Sequence, residues 1–366
     1  MLKFAFAMIL ADLALSVAAP VSAQELYWYK GNTHTHTVNS DGDTAPDAVA
    51  RWYKEHDYQF LFITDHEYLT DPAPLNAILG ANERFLLLPG QEITQWGKDP
   101  KRSAAHVNGL FVSKVIFPVG ERTCMGTGCG AKSDASVPLG DTFKTNIAAI
   151  RAQGGIAQVN HPNYRWSVKP ADLDDVPDGT LLEIWNGIGE INNLGGDDGA
   201  GDVRPSAEGY WDYLLSRGKI IWGVGSDDAH SFKGEDATDP DGAAPGQAWI
   251  TVHAAELTPA AIKAALAKGN FYASTGVTLS DVTATDQSLS ISIGEAKLGA
   301  KRYTTRFIGE GGKVLAEVAG AKPRYKFTGR ESYVRASIMD SNGKRAWTQP
   351  VFRDERAKNN IVTGGK

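Results

Sequence analysis

Six of the eight histidines in this 366-residue chain lie at the ends of predicted β-strands, five of them at carboxyl ends. Three carboxylates are interleaved with these histidines. Imidazole and carboxylate groups without thiolates are a ligand set that suits zinc, manganese or iron. Nine candidate ligands exceed what one tetrahedral ion can use, so we expect two or three divalent ions per chain. The predicted ligands are His34, His36, Asp41, His66, Glu92, His106, His161, Asp228 and His230.

The spacing within two motifs supports shared coordination. Residues i and i+2 of a strand point to the same side, so His34 and His36 can reach one ion together. Asp228 and His230 have the same spacing. Asp227 directly precedes Asp228 and is an alternative ligand at this position. The two remaining histidines, at positions 56 and 253, lie outside the pattern, and we interpret them as structural.

Short apolar runs alternate with helical patterns from residue 24 to about residue 276. Such alternation predicts an α/β fold with parallel strands, and seven or eight units over ~250 residues fit a closed or distorted barrel. The carboxyl ends of barrel strands meet at one mouth, where active sites form. His106 is an exception because it precedes its strand, so the strand either begins earlier or runs the other way. The predicted strands cover residues 26–32, 60–64, 85–88, 107–112, 155–159, 181–185, 220–224 and 248–252.

Helical periodicity is clear in two of the intervening segments. Phe143, Ile147 and Ile150 follow an i, i+4, i+7 pattern that places them on one helix face. Thr258, followed by a proline, predicts the start of a further helix, and Gly269 predicts its end. These helices are expected to cover the predicted barrel.

After residue 276 the alternation of apolar runs with helical patterns ends. Residues 277–357 contain short alternating strands and a hairpin-type turn at 340–343, which predict a small antiparallel, β-sandwich-like domain. Residues 358–366 are polar and rich in glycine at the end, and we expect a frayed tail. The predicted domain order is therefore a leader at 1–23, a barrel at 24–276, the β-domain and the tail.

The first 23 residues resemble a secretory signal peptide. Lys3 supplies a positive start, residues 4–18 are nearly all apolar apart from Asp12, and small residues precede a cleavage position after Ala23. The apolar run is too short to span a bilayer comfortably, which argues against an uncleaved anchor. We therefore predict a periplasmic or secreted protein with no stable membrane insertion after cleavage.

Cys124 and Cys129 are the only cysteines, and both lie in a glycine-rich segment. In an oxidising compartment two neighbouring cysteines favour a small disulfide. The alternative is half of a zinc site, but the sequence has no second cysteine pair to complete it.

The overall charge limits the classes of partner. The formal net charge is −6 and the pI is about 5.8, so the chain has no basic footprint for nucleic acid. A small-molecule ester is the expected partner, and no feature of the sequence indicates an oligomeric state.

The motif set resembles that of the PHP family (polymerase and histidinol phosphatase) over about residues 28–276. The stretch 270–276, together with the β-rich tail, resembles the exported, carbaryl-hydrolase-like branch of that family. The motifs that carry the family resemblance are His34-x-His36, Ser40-Asp41-Gly42, Thr64-Asp65-His66, Glu92, His106, Asn160-His161-Pro162 and Asp228-x-His230.

The resemblance implies a distorted (β/α)7, TIM-like barrel with a trinuclear metal site at its mouth. The first ion would be held by His34, His36, Glu92 and Asp228. The second would share Glu92 as a bridge and add His106 and His161. The third would be held by Asp41, His66 and His230.

The resemblance also implies phosphoester hydrolysis, in which clustered ions lower the pKa of a bridging water to produce hydroxide. We assign Asp65 and Glu92 as catalytic candidates, although Asp65 could equally be a capping acid at a strand end. Arg165 and Asn186 are candidate substrate-binding residues, with a solvated loop arginine and a turn asparagine as their plain alternatives.

Two other functions remain open from the sequence. The same metals could hydrolyse a carbamate or carboxylic ester; an apolar pocket would favour that reaction, whereas a second Arg or Lys near Arg165 would favour phosphate. A non-catalytic protein that binds a metal or a surface is the third possibility, and the complete ligand set argues against it.

Overall fold

The fold is described by a computed structural model that covers residues 25–80, 84–97, 104–125, 128–233, 242–294 and 302–356. The predicted leader and frayed tail lie outside these residues. The backbone register places Cys124 opposite Cys129. The cysteine side chains are not among the described atoms, so the disulfide stays a prediction. Among the described residues, no helix is long and apolar enough to cross a membrane.

The described residues form five α-helices and 21 β-strands. The helices are α1 (Pro46–Glu55), α2 (Pro72–Leu79), α3 (Leu139–Ala152), α4 (Ala207–Ser216) and α5 (Pro259–Lys268). The strands up to residue 226 are β1 (Tyr27–Asn32), β2 (Phe60–Ile63), β3 (Leu86–Trp96), β4 (Ala104–Leu110), β5 (Gly120–Met125), β6 (Gly128–Ser133), β7 (Ile156–Val159), β8 (Thr180–Asn186), β9 (Gly196–Asp197), β10 (Val203–Arg204) and β11 (Ile221–Ser226). The remaining strands are β12 (Trp249–Ala254), β13 (Phe271–Ser274), β14 (Leu279–Ala284), β15 (Ser288–Ile293), β16 (Tyr303–Gly309), β17 (Lys313–Ala319), β18 (Arg324–Lys326), β19 (Tyr333–Asp340), β20 (Arg345–Thr348) and β21 (Val351–Phe352).

One large mixed sheet dominates the molecule. Its strand order is β11-β8-β7-β4-β3-β2-β1-β12-β13-β20-β19-β16-β17. The neighbours β1-β2-β3 and β7-β8-β11 are parallel, as the sequence predicts. The expectation of parallel strands throughout is wrong for β4 and β12, which pair antiparallel to their neighbours.

The reversed direction of β4 explains the exceptional position of His106. Only residues 97–103 separate β3 from β4, and so short a connection can join antiparallel strands but cannot hold the crossover that parallel pairing needs. Both alternatives from the sequence apply, because the strand begins at residue 104 and also runs the other way. His106 consequently lies opposite Thr94 of β3, near the ends of β2 and β7.

The two ends of the row from β11 to β1 approach each other at one point. Thr35 and Ala229, just beyond the ends of β1 and β11, form an isolated parallel bridge. The amide of His36 donates to the Ala229 carbonyl (2.8 Å), and the amide of Asp228 donates to the His34 carbonyl (3.0 Å). The described residues form no continuous strand pairing between β11 and β1, so the structure shows a mixed α/β fold with one large mixed sheet, and the distorted (β/α)7 barrel stays a prediction.

The helices bury the faces that their sequence patterns predict. Phe143, Ile147 and Ile150 of α3 are fully buried in the main hydrophobic core. The hydroxyl of Thr258 accepts from the backbone of α5, and Gly269 ends that helix with a left-handed backbone, as expected from the sequence. Burial of these faces holds the helices against the sheet.

The residues after 276 form antiparallel strands. Strands β14, β15 and β18 make a separate small sheet, and its side chains share one buried cluster with those of β16, β19 and β20. The large sheet nevertheless continues across residue 276, because β13 pairs with β20. The boundary between a barrel and a β-domain at 276/277 stays a prediction.

Candidate metal centre

The structure brings all nine predicted ligands together at one edge of the large sheet. His34 and His36 follow β1, His66 follows β2, and His161 follows β7. Glu92 and His106 lie within β3 and β4. The donor atoms form three overlapping groups, and within each group they lie within 4.8 Å of one another. The groups are His34, His36, Glu92 and Asp228; Glu92, His106 and His161; and His36, Asp41, His66 and His230.

Glu92 lies at the centre of the cluster and directs its two oxygens to different neighbours. Its Oε1 lies 3.2 Å from His106 Nδ1 and 3.6 Å from His161 Nε2. Its Oε2 lies 3.3 Å from Nε2 of both His34 and His36. One carboxylate can therefore serve two ions, which is the bridging role that the sequence resemblance implies.

Asp228 belongs to the cluster, whereas Asp227 does not. Asp228 Oδ1 lies 3.0 Å from His34 Nε2 and 3.2 Å from His36 Nε2. Asp227 turns away and accepts hydrogen bonds from the Tyr53 hydroxyl (2.8 Å) and from the backbone amides of residues 246–248. Successive side chains of an extended chain point to opposite sides. Asp228 also has a left-handed backbone (φ 53°).

The third group is the most exposed. Asp41 Oδ2 lies 3.3 Å from His66 Nε2, and Asp41 Oδ1 lies 3.4 Å from His230 Nε2. Gly42 allows the loop that carries Asp41 to fold onto the backbone of His36, since a Cβ at this position would lie 2.7 Å from the His36 carbonyl carbon. His36 also belongs to this group, with Nδ1 3.4 Å from Asp41 Oδ1.

In two histidines, acceptors other than the ligand atoms of the cluster set the tautomer of the neutral ring. The backbone oxygen of Asp228 can only accept, so His230 donates through Nδ1 (2.7 Å). Glu183 Oε1 lies 3.1 Å from His34 Nδ1, and there too a carboxylate oxygen accepts. When these rings are neutral, the lone pair is therefore on Nε2, which faces the other ligands.

Sequence reasoning missed Glu183, which lies in β8 and is almost fully buried. Besides its contact with His34, its Oε2 accepts from the amide of His161 (2.6 Å) and from Asn186 Nδ2 (2.9 Å). Its Oε1 also accepts from the Ser226 hydroxyl. A single acid within the otherwise apolar strand interior Leu181–Trp185 was the available signal, since buried acids are rare without partners.

The electrostatics of the cluster favour cations. Burial opposes a charge on His34, but the carboxylates of Asp228 and Glu92 outweigh it and raise the pKa of His34 well above its usual value. Burial likewise opposes the charge of Glu92, yet the rings of His34, His66 and His106 hold its pKa well below the usual range. Burial lowers the pKa of His106 to about 4. The buried carboxylates thus depend on positive charge beside them, which divalent ions would supply.

The donor set fits a metal centre on independent grounds. The Nε2 atom of His106 is buried without a hydrogen-bond partner among the described residues. Unpaired buried imidazole nitrogens are costly unless they coordinate something. His56 and His253 differ, because they stack on Trp52 (3.8 Å) and Trp28 (4.2 Å), away from the cluster.

Asp65 holds the ligand loop in place from outside the cluster. Its fully buried carboxylate accepts from the amide and hydroxyl of Thr37 (2.7 and 2.8 Å). It also accepts from the hydroxyls of Ser40 (2.8 Å) and Thr70 (3.1 Å). These contacts favour the capping alternative over proton transfer, so Asp65 is a positioning residue.

The structure gives the surroundings of the two predicted substrate-binding residues, whose role stays a prediction. Arg165 is exposed, and its guanidinium lies over the rings of Tyr164 (4.9 Å) and Trp96 (5.6 Å), which line the cavity above the cluster. Asn186 is buried, and its side chain donates to Glu183 and to Asp228 Oδ2 (3.0 Å). Asn186 therefore orients two carboxylates of the cluster.

A cavity of about 340 Å³ opens above the ligands. Tyr164 lies against the cluster, with its ring 5.2 Å from that of His161. No arginine or lysine contributes to the lining among the described residues. The wall residues other than ligands are Trp96, Tyr164, Ile188, Glu190, Ile191 and Ala243.

The fold and the cluster define a mixed α/β protein with candidate divalent-metal sites. No family model and no curated protein matches the sequence. Among solved structures, a two-domain protein from Bacteroides vulgatus containing a predicted PHP-like metal-dependent phosphoesterase is 15% identical, with a TM-score of 0.46 over 90% of this chain and 94% of its own. A candidate metal-dependent phosphoesterase from Bifidobacterium adolescentis is 14% identical (TM-score 0.35; 55% and 87% covered). An amidohydrolase from Chromobacterium violaceum, solved with sulfate and without metal, is 14% identical (TM-score 0.34; 55% and 88% covered).

Proposed function

We propose that this protein is a metal-dependent hydrolase that cleaves a small phosphoester with two or three divalent ions. Zinc, manganese and iron suit its imidazole and carboxylate donors. The observation that supports the proposal is the overlap of three ligand groups through Glu92 and His36, directly beneath an open cavity.

The chain's residues would divide the work at this site. His34, His36 and Asp228 would hold one ion, with Glu92 reaching a second position through its other oxygen. Bound divalent ions acidify water and neutralise charge that develops on a substrate. Glu183 and Asn186 keep the ligands oriented, as the protein partners of metal ligands commonly do.

Tyr164 is placed to interact with a substrate rather than with the ions. It lines the cavity beside His161, and burial raises the pKa of its phenol, so that Oη keeps its proton at neutral pH. Its turn includes Arg165 and Trp166, two consecutive non-glycine residues with left-handed backbones. Such costly conformations cluster at functional sites. We assign Tyr164 Oη as a hydrogen-bond donor to the substrate.

The charge of the loaded site favours a phosphoester. The three ligand groups contain three carboxylates, so two or three divalent ions would exceed the charge of these ligands by one to three units, an excess that Glu183 and Glu190 nearby would reduce. An anionic phosphoryl group complements such an excess, and the site needs no arginine to attract it.

A carbamate or carboxylic ester is the second candidate substrate. The wall formed by Trp96, Ile188, Ile191 and Ala243 is apolar, and the described lining has no arginine or lysine. Glu190 adds a negative charge to the same wall. These features suit a neutral substrate with an apolar group.

A matched substrate panel separates the two candidates. The protein would be reconstituted with zinc, manganese or iron and assayed with p-nitrophenyl phosphate, bis-p-nitrophenyl phosphate and 1-naphthyl N-methylcarbamate. We expect turnover of a phosphate ester, which is lost in His106→Ala and kept in His56→Ala. Turnover of the carbamate alone would replace the leading proposal by the second, and no turnover of any substrate would contradict both.

We also propose that the chain is an exported member of the PHP family, in its carbaryl-hydrolase-like branch. The nine ligand positions and the stretch 270–276 support the family, and the apolar run at 4–18 supports export to the periplasm or medium. Amino-terminal sequencing of the mature protein tests export. A terminus at Gln24 is expected, and a retained Met1 would contradict it.

A further inference from the structure

A second cavity of about 490 Å³ lies beside the first. One of its walls is the segment from Trp185 to Gly195, which follows β8. Another wall is the turn of Asn342, Gly343 and Lys344, between β19 and β20. The carboxyl-terminal strands thus contribute a wall to a cavity near the candidate metal centre.

The two cavities are neighbours. Ile188 lines both of them. The wall between them is fixed to the metal-ligand loop, because a Cβ on Gly187 would lie 2.5 Å from the Asp227 carbonyl oxygen, so only glycine allows this close packing. A substrate whose ester lies at the cluster could therefore extend into the second cavity past Ile188.

The lining of the second cavity is rich in amides. The side chains of Asn192 and Asn342 form no hydrogen bond with another described residue, and Gln247 uses only Nε2, in a long contact of 3.5 Å to the Pro245 carbonyl. An amide offers both donors and an acceptor. These three side chains can consequently bind groups that also both donate and accept.

Charge is sparse around this cavity. Lys344, which is exposed, is the only charged residue of the described lining, and no carboxylate contributes to it. Trp185 adds an aromatic side chain, whose ring also has the Arg345 guanidinium 5.6 Å and the Trp347 ring 5.5 Å from its centroid. A lone exposed lysine is a weak basis for an anion site, and an apolar ligand would leave the amides unpaired at a cost.

The turn that carries Asn342 and Lys344 is held rigidly in place. The amide of Arg345 donates to Thr275 Oγ1 (2.8 Å), and the amide of Thr275 donates to the Arg345 carbonyl (2.9 Å). Asp340 Oδ1 accepts from the amides of Asn342 (2.8 Å) and Lys344 (3.0 Å). The second cavity therefore has preformed walls, as small-molecule sites usually do.

We propose that the second cavity binds a neutral, hydroxyl-rich group, such as a sugar or polyol, that forms the alcohol part of the substrate. Hydroxyls match the amides of Asn192, Gln247 and Asn342 because both kinds of group donate and accept, and a sugar face can pack on Trp185. The assignment of this group to a substrate depends on the proposed hydrolase function, whereas its binding does not.

The test measures binding of neutral ligands without turnover. Glycerol, myo-inositol, D-ribose and D-glucose would be titrated into the purified full-length protein and followed by saturation-transfer difference NMR. We expect at least one of them to bind saturably. Asn342→Ala and Gln247→Ala should each weaken that binding by about tenfold, since each leaves a ligand hydroxyl unpaired.

Gln287→Ala is the matched control, because it removes an amide from an exposed position outside both cavities. It should bind like the unmodified protein, and thermal unfolding should show that all variants remain folded. Failure of every panel member to bind, or equal binding by all variants, would overturn the proposal. Saturable binding of inorganic phosphate without any response to the sugars would assign an anion site instead. A protein that binds a sugar but hydrolyses no ester would refute only the proposed function.

Discussion

Glu183 Oε1 lies 3.1 Å from His34 Nδ1, and both side chains are buried. The same carboxylate binds the amide of His161 and the side chain of Asn186, so one acid in β8 orients groups from three segments. This contact directs Nε2 of His34 toward Glu92 and Asp228. The arrangement matches the carboxylate–histidine partnerships that support protein metal sites.

Replacing Glu183 should weaken metal binding without removing a ligand. Glu183→Gln keeps the size of the side chain but loses its charge, so His34 becomes a poorer ligand. We expect a fall in metal affinity of about 10- to 100-fold. Competition with a chelator measures the affinity, and Glu317→Gln, at an exposed position, serves as the control. Unchanged affinity would show that Glu183 does not support the site.

The two adjacent aspartates should respond in opposite ways. Asp228→Ala removes a predicted ligand and should lower the number of bound metal ions. Asp227→Ala should keep the metal but leave the Tyr53 hydroxyl and three backbone amides without their acceptor. We expect the free energy of unfolding to fall by about 3 kcal/mol or more. Elemental analysis and urea denaturation would reveal the reverse pattern if the ligand were misassigned.

Tyr164→Phe tests the proposed substrate donor. The ring and its packing against His161 stay, while the hydroxyl is lost, so we expect kcat to fall by roughly 100-fold with the metal content unchanged. Tyr68→Phe, at an exposed position, should have normal kinetics. A Tyr164→Phe protein with the kcat of the unmodified enzyme would remove Tyr164 from the proposed mechanism.

The contact between Arg335 and α4 should govern stability. Arg335 is buried and donates to both carboxylate oxygens of Asp212 (2.8 and 2.6 Å). Arg335→Met leaves Asp212 buried without its main partner, and the free energy of unfolding should fall by about 3–5 kcal/mol. Arg306→Met removes an exposed ion pair with Glu317 and should cost less than about 1 kcal/mol. Equal effects in denaturant unfolding would contradict a structural role for the contact.

The contact between Arg335 and Asp212 also attaches the carboxyl-terminal strands to the rest of the protein. Arg335 connects β19 to α4, and β20 extends the large sheet from β13. Deletion of residues 277–366 should therefore destabilise the remaining chain. A truncated protein with the stability and activity of the full chain would instead favour an accessory role for these strands.

The sequence predicted which residues meet at the candidate site because ligand types recurred at strand ends. That argument needs only the rule that strand ends converge, and it holds for His34, His66 and His161. The i, i+2 spacing chose Asp228 over Asp227, and the structure places only Asp228 in the cluster. The left-handed backbone of Asp228 is a further feature of this segment, and the spacing does not reveal it.

Other features depended on which strands are neighbours, which local patterns do not determine. Glu183 has no histidine or acid two positions away that would mark it as part of a metal site. Its role becomes visible only from the pairing of β8 with β7 and β11. The antiparallel direction of β4 follows from the short connection between β3 and β4. The sequence did not show how short this connection is, because the predicted strand began only at residue 107. Asn186 was predicted from its position at a strand end, but its buried partners make it a support for carboxylates.

The number of bound metals tests the central claim most directly. The purified protein would be reconstituted with excess divalent metal, freed of loose ions and analysed by elemental mass spectrometry, beside Glu92→Ala and the control His56→Ala. The account predicts two or three ions per chain in the unmodified protein and in His56→Ala, and a loss of metal in Glu92→Ala, whose carboxylate connects two ligand groups. No retained metal in the unmodified protein, or an undiminished count in Glu92→Ala, would contradict the account.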